Sequence, residues 1–225
     1  MGSDGLFHKR KARKQSELER KSQAQAQSPR YLIVCEGTKT EPHYFRELLE
    51  DLKIRPQMVR VAQNQGVSPN RVVDYAFELY RGDALSGDSF DKVYCVFDRD
   101  RHTTFDAAVR RTIELSAEIP SSSFEAITST PCFEFWFLLH FGYATQPFQK
   151  AGKKSVGDQA VIFLKTKPGF QDYGKGKKGI YQSLKEKLPA AILNAQRLRA
   201  NSAANGSFNP ATDVDLLINI LQGLV

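Results

Sequence analysis

Four short apolar runs, YLIVC (31–35), QMVRVA (57–62), DKVYCVFD (91–98) and FEAITST (124–130), alternate with segments of helical periodicity. Each run has the length and the β-branched and aromatic content of a strand. Between them, Tyr44, Phe45, Leu48, Leu49 and Leu52 share one helical face, and so do Phe105, Val109 and Ile113 in the segment 104–119. The segment 68–82 opens on Ser68 as a cap and Pro69 at a first helical position. Strands joined through helices run parallel, and a parallel sheet is covered on both faces. The pattern therefore predicts an α/β fold, a parallel sheet flanked by helices. In such sheets ligands bind at the carboxyl ends of strands. The residues that follow each run are thus the place to look for chemistry.

The first run ends in EGTKTEPHYF, where Glu36 and Glu41 flank a strand-to-helix turn. Gly37 permits the turn, Thr40 is expected to cap the helix, and Pro42 suits its first turn. The third run ends in VFDRDRH. Side chains two apart in an extended segment point the same way, so Asp98 and Asp100 share one side and Arg99 and Arg101 the other. If the first and third strands are neighbours, Glu36 joins the aspartates at one sheet edge. Carboxylates gathered there repel one another and need a cation. Hard oxygen ligands suit Mg²⁺ or Mn²⁺, whose usual chemistry is phosphoryl transfer. His102, just past the aspartates, is a candidate acid or phosphate contact, while His43 is expected near the site as a surface residue. In PCFEFWFLLHF (131–141), expected to be a buried helix, Glu134 is the only carboxylate. It is either paired or metal-bound inside the apolar segment, or a helix-start residue favoured by the dipole. His140 is expected to be a core histidine.

The rest of the chain divides by composition. Residues 1–29 hold almost no large apolar side chains, and 1–30 carry eight Lys or Arg against three Asp or Glu. This is expected to be a disordered basic tail. Residues 30–141 form the predicted core. Residues 142–225 begin with a glycine- and lysine-rich region and end in two helices, about 178–200 and 212–224, packed on the core. Lys153, Lys154, Lys175, Lys177 and Lys178 form either a solvated loop or a track for a nucleic-acid backbone. The net charge of +7 points weakly the same way. The glycines among these lysines lack Walker spacing, so no ATPase motif is present. The three cysteines, Cys35, Cys95 and Cys132, lie in apolar runs without zinc-like spacing, as in a reduced, cytoplasmic protein. No run is long enough to predict a membrane span, and no secretory segment is expected at the start.

A Glu-Gly turn after a first strand with Asp-x-Asp after a later one resembles the Toprim domain of topoisomerases, primases and OLD-family nucleases. LIVCEGTKTEPHYF, VFDRDRH, TPCFEFWFLLHF and NPATDV together resemble RloB-like proteins. The resemblance implies a Toprim-like core with a C-terminal helical extension. It also implies a metal-dependent nuclease that works beside an ABC-type ATPase in bacterial phage defence or abortive infection. Glu36 would be the Toprim glutamate, and Asp98 and Asp100 the aspartate pair. Glu41 matches the second glutamate of the OLD turn, with one more residue between the two. RNA, tRNA included, is the substrate expected by analogy. The rival reading is a non-catalytic subunit that binds nucleic acid or the ATPase.

Overall fold

The computed structural model describes residues 29–63, 68–100 and 102–225. The predicted tail up to residue 28, and Arg101, lie outside them. Strands β1 (Tyr31–Cys35), β2 (Val59–Gln63), β3 (Lys92–Asp98) and β4 (Ser123–Thr130) alternate with helices α1 (Thr40–Asp51), α2 (Pro69–Leu85) and α3 (Phe105–Glu118). The chain continues through α4 (Glu134–Leu138), α5 (Val156–Leu164), α6 (Ile180–Leu184), a 3₁₀ turn (Lys185–Lys187), α7 (Leu188–Asn205), β5 (Ala211–Thr212) and α8 (Val214–Gln222).

The sheet order is β2-β1-β3-β4-β5. The first four strands are parallel and only β5 runs antiparallel, against β4. From β1 the chain first winds outward to β2 and then crosses back to β3. The order therefore reverses between β1 and β3, and a crevice opens at their carboxyl ends. Alternation along the strands explains the two layers. Ile33, Cys35, Tyr94, Val96 and Ile127 face a core formed with α1 and the helices from α4 onward. Leu32, Val34, Val93, Cys95, Phe97 and Phe124 face α2 and α3.

Several sequence expectations change in the folded chain. Thr40 is not a cap. Lys39 holds that position without a side-chain bond, and the Thr40 hydroxyl accepts the Gly176 N–H at 2.9 Å instead. Ile113 is 65 % exposed, and Phe105, Ala108, Thr112 and Leu115 form the buried face of α3. The segment 131–141 keeps only five helical residues, because its aromatic side chains are buried on every side and leave no solvent face to a longer helix. The helix expected over about 178–200 is broken at Lys185–Lys187 into α6 and a longer α7 that reaches Asn205.

The layer under the sheet is held by aromatic packing. Tyr44 meets Phe45, Phe133 and Tyr181 edge-on at 5.6–5.8 Å between ring centroids. The fully buried Trp136 donates its indole N–H to the Tyr44 hydroxyl at 2.8 Å. That bond ties α1 to α4, the two elements that carry Glu41 and Glu134. Tyr44→Phe leaves the buried indole N–H without its acceptor and is expected to cost about 1–3 kcal/mol. Urea unfolding of the two proteins, compared at equal m-value, measures the loss.

Candidate active site

Three adjacent parallel strands each end in a carboxylate or lead directly to one. After β1, the Glu36 N–H donates to the Val96 carbonyl at 2.9 Å, which extends the ladder by one residue and aims the side chain across at β3. Its Oε2 accepts the Asp98 N–H at 3.0 Å. Asp98 ends β3, and the chain after β4 turns through the cis Thr130–Pro131 bond into Glu134. Glu36, Glu41, Asp98, Asp100 and Glu134 line one cavity of about 450 Å³, together with His102, Lys39 and Lys175. Five carboxylates thus face two lysines across the crevice at the switch in strand order.

Neutral donors hold Glu36, Glu41 and Glu134 in place. Glu41 is buried, and its Oε1 accepts the Gly37 N–H at 3.3 Å. A side chain at residue 37 would overlap that carboxylate, with its Cβ 2.6 Å from the Glu41 Cδ, so glycine is required here by close approach. Glu134 is the first residue of α4, but at 2 % exposure it is not the partly solvated helix-start residue of one expectation; it is a buried carboxylate with a partner, as the other has it. The Tyr173 hydroxyl donates to it at 3.0 Å. His102 Nε2 lies 3.1 Å from Glu36 Oε1 at the cavity mouth.

Burial and mutual repulsion set the acidity of this group. Burial raises Glu36, partly offset by the Asp98 N–H and by His102. Burial pushes Glu41 up to about 7, and Glu134 and Glu36 push the same way. Asp98 is raised well above the carboxylate range by desolvation, then by Glu41, Glu134 and Glu36. Lys175 is held in its charged form chiefly by Glu134.

Lys175 reaches the site because its loop is fastened to α1. The Gly176 N–H donates to Thr40, His43 Nδ1 lies 3.2 Å from the Gly176 carbonyl, and Glu47 accepts the Gly179 N–H at 2.6 Å and the Tyr181 N–H at 3.1 Å. Gly176 has φ +83°, and the Lys39 stem packs against it, 2.8 Å from where a Cβ would stand.

The other expected site residues are scattered. Arg99 pairs with Asp106 at 3.7 Å and stacks over Phe105, and it does not line the acidic cavity. Lys177 pairs with Asp172, and Lys178 lines a separate groove with His43 and Arg46. Lys153 and Lys154 lie on an exposed turn closed by an Ala151–Lys154 bridge. The lysine-rich stretch therefore forms no single track around the cavity, and only Lys175 enters it. Lys39 and Tyr173 are site residues the sequence reading passed over. Lys39 stands inside the EGTKTE turn, and Tyr173 lies two residues before Lys175, but nothing in either spacing marks them.

Hard carboxylate oxygens in an open cavity fit a hard divalent cation in kind. No three His, Cys, Asp or Glu side chains among the described residues are grouped to ligate one ion together. A cation would be held by one or two carboxylates with water completing its shell, as Mg²⁺ commonly is.

A family model described as RloB-like protein matches residues 31–221. Comparison with curated proteins returned no match, and comparison with solved structures returned none. No helix among the described residues is long and apolar enough to cross a membrane.

The raised Glu41 has a consequence for stability. Its folded value of about 7 stands above the ordinary 4.5. A carboxyl raised on folding contributes its full stabilisation below the unfolded value and loses it as pH rises through the folded one. At about 1.4 kcal/mol per unit the change is on the order of 3 kcal/mol. Stability should therefore fall between about pH 5 and 8, and Glu41→Gln should flatten that slope and exceed the parent at pH 8. Denaturant midpoints across this range test it, and an unchanged slope in the variant would count against the assignment.

Proposed function

The chain belongs to the RloB-like protein family, and from that premise we propose that it is a metal-dependent, Toprim-like nuclease. It cleaves nucleic acid, RNA in preference to DNA, as the effector of a bacterial anti-phage system that includes an ABC-type ATPase. The observation that carries this reading is the convergence of Glu36, Glu41, Asp98, Asp100 and Glu134 on one cavity at the switch in strand order, with one fastened lysine among them.

In this reading one or two of Glu36, Asp98 and Asp100 would supply the oxygens that hold Mg²⁺ or Mn²⁺, with water completing the shell. When bound, such an ion would supply activation of water at neutral pH and would offset charge on the phosphate. Glu41, with its carboxyl near 7, is suited to accept the proton of the attacking water at its Oε2, since a base works best when its pKa lies near the working pH. Lys175 holds the non-bridging phosphate oxygens, a role that needs its permanent charge. Its stem enters from the loop side, so the phosphate is held between it and the carboxylates. His102 stands at the mouth, oriented by Glu36, where it can give a proton to the leaving oxygen.

The test is cleavage of labelled tRNA, single-stranded RNA and plasmid DNA with Mg²⁺, Mn²⁺ or chelator, with and without the partner ATPase. Asp98→Asn keeps the shape but removes a charge from a crowded acidic group. The variant should be at least as stable as the parent, while cleavage falls by more than a hundredfold, because a neutral amide is a poor ligand for a hard cation. Equal cutting by the variant would remove Asp98 from the mechanism. A parent that cuts nothing with partner and metal present would favour a non-catalytic subunit that binds nucleic acid or the ATPase.

A further inference from the structure

Beside the acidic cavity lie two further cavities that share a wall. One, of about 500 Å³, is lined by Arg99, Asp100, Thr130, Ser207 and Phe208 among others. The next, of about 320 Å³, is lined by Arg99, Phe105, Val109, Thr128, Thr130 and Phe208 among others. Asp100 lines both the acidic cavity and the first of these, so the cleft adjoins the carboxylates.

Phe208 stands where the outer two cavities meet, and it is 56 % exposed. A single exposed phenylalanine is ordinary. This one is held in place on both sides. The Ser207 N–H donates to Asn205 Oδ1 at 2.8 Å. Asn209 is clamped to the Phe148 backbone, accepting its N–H at 3.3 Å and donating to its carbonyl at 2.9 Å. The ring is thus presented on a fixed support beside Val109, Thr130 and the half-exposed Arg99, whose guanidinium lies over Phe105 and which lines both outer cavities. A flat aromatic surface with polar groups at its edge and a cation on the side of the reacting phosphate is the chemistry that receives a nucleobase.

We infer that this cleft is a nucleobase subsite: the base of a nucleotide flanking the scissile phosphate stacks on Phe208, and Arg99 takes the neighbouring phosphate. The inference rests on the nucleic-acid reading above and adds where a base is gripped. Arg99 lines the cleft together with Asp100, where the chain leaves β3 for a turn, so the cation that grips the backbone stands next to the acidic cavity.

The experiment measures affinity of the full chain, with Ca²⁺ in place of Mg²⁺ so that a hard cation is present at the carboxylates, for labelled single-stranded RNA and DNA oligonucleotides in which each nucleotide in turn is abasic. The parent should lose about tenfold in affinity at one position, the size of one stacked base. Phe208→Ala should bind the unmodified strand about tenfold more weakly and show no further loss at that position. Phe208→Tyr should behave as the parent. Because the ring is largely exposed, Phe208→Ala should melt with the parent, which separates binding from folding. Equal abasic penalties in the parent and Phe208→Ala at every position would overturn the subsite, as would a parent that binds no oligonucleotide or binds only through apolar peptides. The nuclease reading fails separately. Coupling between Phe208 and one abasic position without any cleavage would remove the nuclease and keep the subsite, and cleavage abolished by Asp98→Asn without coupling would do the reverse.

Discussion

Repulsion among carboxylates governs how this molecule is arranged around its crevice. Five acidic side chains share a cavity of about 450 Å³ with two lysines. Each buried acid could lower its energy by finding a cationic partner, yet most are held by neutral groups: an N–H of Asp98 for Glu36, an N–H of Gly37 for Glu41 and a phenol for Glu134. Neutral donors orient a carboxylate without cancelling its charge. The raised pKa values of Glu36, Glu41 and Asp98 come first from burial and then from one another's charge, and the backbone donors offset them only in part. Surface ion pairs elsewhere, such as Arg111 with Glu118, cancel charge locally. The acidic group of the crevice lies where strand order reverses.

The C-terminal region makes that arrangement durable. It contributes Tyr173 to Glu134 and Lys175 to the whole group, on a loop fastened to α1 by Thr40, His43 and Glu47. The NPATDV segment plays a supporting part rather than a chemical one. Asp213 accepts the Thr128 hydroxyl at 2.7 Å, and Arg199 spans Asp213 and the fully buried Asp215. Taking Asp215 out of water is tolerable only because the guanidinium fork meets it, and removing one partner of such a pair is costly. The pair locks β5 against β4 and so fixes Asn209 and the Phe208 ring that precedes it. The NPATDV segment is therefore structural and still bears on what lies beside the site.

The sheet was legible in the sequence because strand periodicity is local. β1, β3 and β4 fall almost on their apolar runs, and Glu36 and Asp98 follow from where those runs stop. The neighbouring of β1 and β3 is a matter of topology, which makes Asp98 bond Glu36 rather than merely resemble it in position. What local pattern could not show was decided by distant contacts. Thr40 looked like a cap because the residue types around it suit one, but its hydroxyl was taken by a loop 136 residues on. Five lysines looked alike in one polar stretch, and only the docking of the Gly176 turn sends Lys175 inward while Lys177 meets Asp172. Ile113 has helical spacing with Phe105 and Val109, yet α3 lies on the sheet by another edge and leaves it in water. Glu134 was marked by its apolar surroundings, but its partners, Tyr173 and Lys175, come from a segment with no periodicity to read.

The two functional readings differ in what they ask of the charge at this crevice. A subunit that only grips a nucleic-acid backbone gains from a positive surface, and every carboxylate near the phosphates weakens it. Placing five of them in one cavity, with Glu41 and Glu134 buried, would then be a cost without a return. A site that handles phosphate through a cation has the opposite need. The carboxylates would draw the cation in, and the cation would admit the phosphate that they otherwise repel. Lys175 fits the second scheme by position, since its loop is fastened to α1 and brings it among the acids. Carboxylates gathered at the switch in strand order, with a lysine held among them, are thus the physical ground on which we place the nuclease reading ahead of the binding subunit.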